Sequence, residues 1–167
     1  MENKSDQCRN YDEARETAIA FIGISHKSSG RIYDHLTRKG YDPDIAGQIV
    51  SDLCSDGYID DLRVAKSVIT KRRGRSAEAR HILLQRLRAA GVSDDIMTSC
   101  EEWIPADEVS LQGLMDEKCR PDFLRRSADD DFDTQTWIQR TSRFLLSRGY
   151  SSHLIFEAFQ RLSHDVE

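Results

Sequence analysis

The sequence predicts an all-α protein, three tandem three-helix modules forming an elongated curved array. Three observations predict it. Apolar residues recur at helical spacing along nearly the whole chain, and no comparable run alternates with period two. Gly40, Gly91 and Gly149 each sit in the same local pattern. The 167 residues are 32% charged and 8% aromatic, which favours helices with a thin apolar stripe over one thick core.

The pattern around the glycines is specific. A leucine stands four residues before each, Leu36, Leu87 and Leu145, and Tyr41, Val92 or Tyr150 stands directly after. Ile45, Ile96 and Leu154 follow at five residues, and Leu53, Ile104 and Leu162 at thirteen. A helix that stops at glycine and is followed by a second helix accounts for this. Glycine at the C′ position adopts the left-handed conformation at low cost, and the next apolar residue packs back on the last turn. Arg38 and Lys39, Arg86 and Arg88, and Arg148 crowd the turn before each glycine, where cations suit the negative helix end. Asp42, Ser93 and Ser151 then open the next helix as caps.

The glycines lie 51 and 58 residues apart, enough for three short helices per module. The first module spans 11–57, with helices near Asp12–Ser25, Ser29–Lys39 and Pro43–Ser55. Ala14, Ala18, Phe21 and Ile22 form one predicted inner face. Ile45, Ala46, Ile49, Val50, Leu53 and Cys54 form another. The second module spans 58–104, with helices near Asp61–Lys71, Ser76–Ala90 and Asp94–Glu102. The third spans 105–163, with helices Asp107–Lys118, Thr134–Arg148 and Ser152–Leu162 and an acidic loop at 128–133. Pro43 and Pro105 sit where a helix can begin, since the first turn tolerates a missing N–H. Modules that contact mainly their neighbours build a long binding surface and no enclosed reaction chamber.

The net charge of −5 conceals segregation. Residues 1–61 carry a net of −5, residues 62–91 carry 9 basic and 1 acidic side chains, and residues 92–167 carry a net of −8. The basic centre is the candidate for contact with a polyanion or an acidic protein. Its candidate residues are Lys71, Arg72, Arg73, Arg75, Arg80, Arg86 and Arg88. The acidic flanks predict weaker DNA binding by the whole chain than by its middle.

No residue set points to catalysis. Asp60 and Asp61 read as a helix cap and a first-turn acid, and Asp129, Asp130 and Asp131 as a solvated acidic loop. His26, His35, His81, His153 and His164 form no ligand-spaced pair, and Cys8, Cys54, Cys100 and Cys119 are scattered. The cysteines read as reduced thiols, with Cys54 and Cys100 as small buried groups. Trp103 and Phe159 fall on inner faces; Phe144 and Phe156 flank them and could meet a partner. The reading is a non-enzyme without metal or cofactor. No apolar run approaches the roughly 20 residues of a membrane span, and residues 1–10 lack the apolar core of a signal peptide. A cytoplasmic monomer is expected.

The residues also resemble a known family. Ser28, Ile32, Leu36, Arg38, Lys39, Gly40 and Tyr41 resemble the RecX pattern S-x-x-x-L-x-x-x-L-x-x-K-G-[YF]. Gly57-Tyr58-Ile59-Asp60-Asp61 with Arg63 and Ala65 resembles its G-[YL]-[IL]-[DN]-D-x-R-[FY]-A signature, with Val64 in place of the aromatic. Leu87 to Val92 resembles the second-unit L-x-x-K-G-I, and Phe144 to Tyr150 the third-unit F-L-x-x-R-G-[FY]. The resemblance implies three tandem three-helix units that bind the recombinase RecA and its DNA filament. It further implies regulation, usually inhibitory, in homologous recombination, DNA repair and the SOS response. A stand-alone helical DNA-binding regulator is the competing reading, since helix–turn–helix pairs fit the spacing around Gly40 and Gly91.

Overall fold

A computed structural model describes the backbone of residues 4–164 and the side chains of residues 10–163. The side chains of Cys8 and His164 lie outside the described residues. The all-helical expectation holds: helices, turns and loops account for the described residues, with no strand among them. The helices are α1 (Lys4–Ile22), α2 (Ser29–Arg38), α3 (Pro43–Ser55), α4 (Asp61–Thr70), α5 (Arg80–Ala89), α6 (Asp94–Ser99), α7 (Asp107–Leu114), α8 (Arg120–Arg126), α9 (Thr134–Ser147) and α10 (Ser152–His164).

The three aligned glycines end helices as expected. Gly40, Gly91 and Gly149 have φ of 93°, 75° and 90°. The residue after each donates its N–H to the leucine four positions before the glycine: Tyr41 to Leu36 at 3.2 Å, Val92 to Leu87 at 3.2 Å and Tyr150 to Leu145 at 3.3 Å. This six-to-one bond satisfies a carbonyl that the helix end would otherwise leave unpaired. Asp42 caps α3 by accepting from the N–H groups of Asp44 and Ile45, with Pro43 in the first turn. Ser151 caps α10 through Leu154, whereas the Ser93 side chain makes no cap bond.

The chain divides into two compact units. One holds the described residues through Ser67 together with Arg86–Glu101; the other holds Val68–Gln85 and the described residues from Glu102 onward. In the first unit Ala14, Ala18, Ile22, Ile32, Leu36, Ala46, Ile49, Leu53 and Ile59 form the core. Each of these side chains is at most 8% exposed, so their burial supplies the main stabilising term at about 25 cal/mol per Å² of apolar surface. Tyr11 donates to Asp52 at 2.5 Å, and Phe21 stacks on His35 at 3.8 Å. Burial first, then the nearby Lys39 and Arg38 charges, lower the His35 pKa.

The second unit packs around Leu111, Leu114, Met115, Trp137, Leu145, Tyr150 and Ile155. Trp137 meets Phe123 edgewise at 4.9 Å and Phe159 at 5.9 Å. Tyr150 keeps its hydroxyl satisfied inside this core through Ser110, 3.1 Å away. Such pairing removes the cost of burying a polar tip.

Several expected boundaries move, each for a physical reason. The expected helix from Ser76 starts at Arg80, after a 3-10 turn at Gly74–Ser76. Backbone donors there are drawn elsewhere: Ala79 N–H to the Arg148 carbonyl at 3.0 Å and Arg80 N–H to Asp107 at 2.6 Å. The helix expected to end near Lys118 runs on through a π turn, Met115–Cys119, into α8. There Arg120 N–H reaches back five residues to the Met115 carbonyl, a wider turn directly before Pro121, which has no N–H. The helix expected to reach Glu102 stops at Ser99 and gives way to a 3-10 turn, Glu101–Trp103.

One side chain departs from expectation, and another does more than expected. Cys54 is exposed, because the buried stripe of α3 is Ala46, Ile49 and Leu53 and position 54 lies one step further round. Asp61 is a first-turn acid of α4 as expected, but it is also only 9% exposed and accepts from Ser29 N–H at 2.7 Å, Ser29 Oγ at 2.5 Å and Ser93 N–H at 3.3 Å. Asp60 does cap α4, accepting from Arg63 N–H at 2.8 Å. Residues 128–133 lie outside the helices, and Asp133 at their end caps α9. No helix of the described residues is long and apolar enough to cross a membrane.

Candidate nucleic-acid and partner interface

The candidate cations of the basic centre begin where α4 ends at Thr70. Lys71, Arg72 and Arg73 follow the helix end, where cations face its negative pole. Gly74, at φ 53°, turns the chain against Glu117, whose carboxylate occupies the space a Cβ there would need. The same carboxylate accepts from Arg75 N–H at 3.2 Å. After the 3-10 turn at Gly74–Ser76 the chain runs non-helical to Arg80.

The seven predicted cations have unlike surroundings. Lys71, Arg73 and Arg75 are exposed in the second unit. Arg73 also donates to the Trp103 carbonyl at 3.2 Å. Arg72 and Arg80 turn partly inward. Arg72 lies 3.9 Å from Glu78, and Arg80 donates to the Ile104 carbonyl at 3.2 Å. Glu78, the single acidic residue between 62 and 91, is 4% exposed and also faces Arg148 at 3.6 Å. A buried carboxylate needs such partners, so Glu78 uses part of the local positive charge internally. Arg86 and Arg88, exposed near the end of α5, belong to the first unit.

Sequence reasoning missed a cleft of about 550 Å³ in the second unit. Arg75 lines it together with Lys118, Arg140, Trp137 and Phe144. Lys118 Nζ lies 3.9 Å over the Phe144 ring, and the Arg148 guanidinium 5.1 Å from it. Asp122 accepts from Trp137 Nε1 at 3.0 Å and pairs with Arg125 and Arg126. Burial pushes its pKa up, but the hydrogen bonds from Trp137, Arg126 and Arg125 outweigh that and hold it below the usual carboxylate value. The only sequence signals were spacings of four, Lys118 to Asp122 and Arg140 to Phe144, which do not say that distant helices meet.

Of the aromatics, Trp137 is buried, Trp103, Phe144 and Phe159 are half-buried, and Phe156 is 61% exposed. The helices following Gly40 and Gly91 carry acids in their first turns, Asp44 in α3 and Asp94 and Asp95 in α6. Those charges oppose entry of either helix into a DNA groove.

No family model matches the chain. The regulatory protein RecX of Mycobacterium tuberculosis strain H37Rv is 26% identical over 148 residues, covering 87% of this chain and 83% of that protein. RecX of Clostridium tetani strain Massachusetts / E88 is 29% identical over 142 residues, 84% of this chain and 63% of its relative. The crystal structure of RecX from Lactobacillus salivarius shares the fold with a TM-score of 0.69 at 16% identity, over 93% of this chain and 98% of that one. The helical fold and these relatives define the class first: a protein similar to regulatory proteins. The chain is a homologue of the RecX proteins, as its motifs around Gly40 and Gly57 implied.

Proposed function

We propose that the chain binds the RecA recombinase and its nucleoprotein filament and restrains recombinase activity. It acts by binding, without a catalytic step or cofactor. One observation carries the reading: relatives named for regulation align along most of a chain whose middle concentrates its positive charge. Lys71, Arg73, Arg75, Arg86 and Arg88 are exposed cations suited to phosphates of the filament DNA or to acidic protein. Arg72 and Arg80 support the backbone that presents them. In this reading the modules 11–57, 58–104 and 105–163 each contribute to partner binding, and the chain works as a monomer in the cytoplasm. Contacts to phosphate carry no sequence information, so binding to free DNA is weak and sequence-independent.

The test adds the protein to RecA on single-stranded DNA and follows ATP hydrolysis and strand exchange. Suppression is expected. Reversing the charge of Lys71, Arg73 and Arg75 together abolishes filament binding while circular dichroism stays unchanged. An unaltered hydrolysis rate at molar excess would overturn the reading. A footprint on a specific duplex would favour the stand-alone DNA-binding regulator.

A further inference from the structure

The cleft beside Arg75 carries a surplus of unmatched positive charge. Among the described residues no carboxylate lies within ion-pair distance of the Arg75 and Arg140 guanidinium groups or the Lys118 ammonium. The two acids in its walls have other work: Glu117 receives Arg75 N–H, and Asp122 is held by Trp137, Arg125 and Arg126. An anion entering the cleft therefore meets three cations whose charge is not already matched.

The walls say which anion. A nucleic-acid base needs an open aromatic face for stacking. Trp137 is 5% exposed and enclosed by Phe123 and Phe159, and the Phe144 ring already carries Lys118 and Arg148. Neither offers that platform. A volume of about 550 Å³ is also far too small to admit a duplex. It is the size of a site for a few side chains, with an apolar floor beside a charged rim.

We propose that this cleft docks an acidic peptide segment of a partner protein. Its carboxylates pair with Arg75, Lys118 and Arg140, and a neighbouring apolar side chain packs against the exposed Pro121 ring in the cleft wall. Arginine clusters recognise acidic motifs in this way because the guanidinium fork matches a carboxylate. The site goes beyond the filament reading and needs neither DNA nor recombinase to be measured.

The experiment uses the full chain and three fluorescent probes: a short peptide alternating Glu with Leu and Phe, the same peptide with Gln for Glu, and an oligothymidylate of equal charge. Anisotropy should show saturable binding of the acidic peptide only in the cleft. The Gln peptide should bind at least about tenfold more weakly, and so should the acidic peptide to a Lys118→Glu, Arg140→Glu variant. Lys71→Glu with Arg73→Glu, outside the cleft, should change its affinity less than about twofold. Should the doubly reversed chain lose helicity, Arg140→Gln alone, at an exposed position, should still weaken binding. Unchanged affinity in these cleft variants overturns the proposal, as does displacement of the peptide by the oligothymidylate at equal charge. Suppression of recombinase by a chain that ignores the peptide would sink this site and leave the filament reading standing.

Discussion

The first unit and the second each contain a joint between a helix start and a glycine turn, and the two are built from corresponding positions. Ser28 and Ala79 stand twelve residues before Gly40 and Gly91, and each bonds the carbonyl preceding the next aligned glycine. Ser28 Oγ donates to Ala90, and Ala79 N–H donates to Arg148. One residue on, Ser29 N–H donates to Asp61 and Arg80 N–H to Asp107, the first residues of α4 and α7. The chemistry around this shared frame differs. In the first unit backbone lies on backbone, with Gly30 N–H donating to the Gly91 carbonyl at 3.0 Å. In the second, Gly149 lies against the side chains of His81 and Ile82. A carboxylate and a turn carbonyl therefore fix the joint, while the closeness of approach is set by what stands at the glycine's partner.

The sharpest way to break that comparison is to add one methyl group to each turn. Gly91→Ala places its Cβ 2.8 Å from Ser28 Oγ and 2.9 Å from Arg31 N, and backbone cannot rotate away. Left-handed strain of about 1–2 kcal/mol and overpacking of about 1–3 kcal/mol predict a loss near 3 kcal/mol, a fall in Tm of roughly 10 °C. Gly149→Ala meets Ile82 Cγ1 at 2.5 Å and His81 Cε1 at 2.7 Å, side chains that can shift. It should lose about 2 kcal/mol, mostly the left-handed strain. Thermal melts of the two variants decide this: equal losses, or a larger loss for Gly149→Ala, would mean that the backbone contact is not what distinguishes the joints.

The carboxylates give the next largest difference. Asp61→Ala leaves two donors on Ser29 and the Ser93 N–H without their acceptor in a nearly buried position. A loss of about 2–3 kcal/mol follows from the cost of unpaired buried donors. Asp107 is half-buried, so Asp107→Ala should lose about 1 kcal/mol as water replaces part of the bond. Urea titrations with constant m-value measure both, and a loss for Asp107→Ala as large as for Asp61→Ala would show that burial does not separate them.

What the sequence revealed and concealed follows from distance along the chain. Helix ends at Gly40, Gly91 and Gly149 were legible because the bond that closes each spans only five residues, Leu36 to Tyr41 for instance. The place of Asp61 in the first turn of α4 was legible, but its second role was hidden because its partners Ser29 and Ser93 lie 32 residues away on either side. Arg80 looked like any other cation of the basic centre, yet its guanidinium holds the Ile104 carbonyl. The delayed start of α5 was hidden too, since Ser76–Ala79 has ordinary helix formers and only the bonds to Arg148 and Asp107 pull it straight. The cleft was the least legible feature: Arg75, Lys118 and Arg140 come from three separate stretches, and no local periodicity announces their meeting.

The smallest expected effect contrasts the thiols of the two units. Cys54 in the first is exposed, whereas Cys119 in the second is 4% exposed. Burial pushes the Cys119 pKa from its ordinary 9.0 to about 11, Lys118 pulling it down and Asp122 pushing it up by less. Native alkylation followed by peptide mapping should therefore modify Cys54 first and Cys119 only after unfolding. The raised pKa also has a stability consequence. The folded state binds the thiol proton more tightly than the unfolded state, so this contribution is fully present below pH 9 and is lost as pH rises toward about 11. At pH 10 the loss should be about 1 kcal/mol from this group. Lysines and tyrosines titrate in the same range, so the informative quantity is the difference between wild type and Cys119→Ala. Wild type should lose more stability between pH 8 and pH 10 than the alanine variant does; parallel curves would show that the Cys119 thiol is not held neutral by its surroundings.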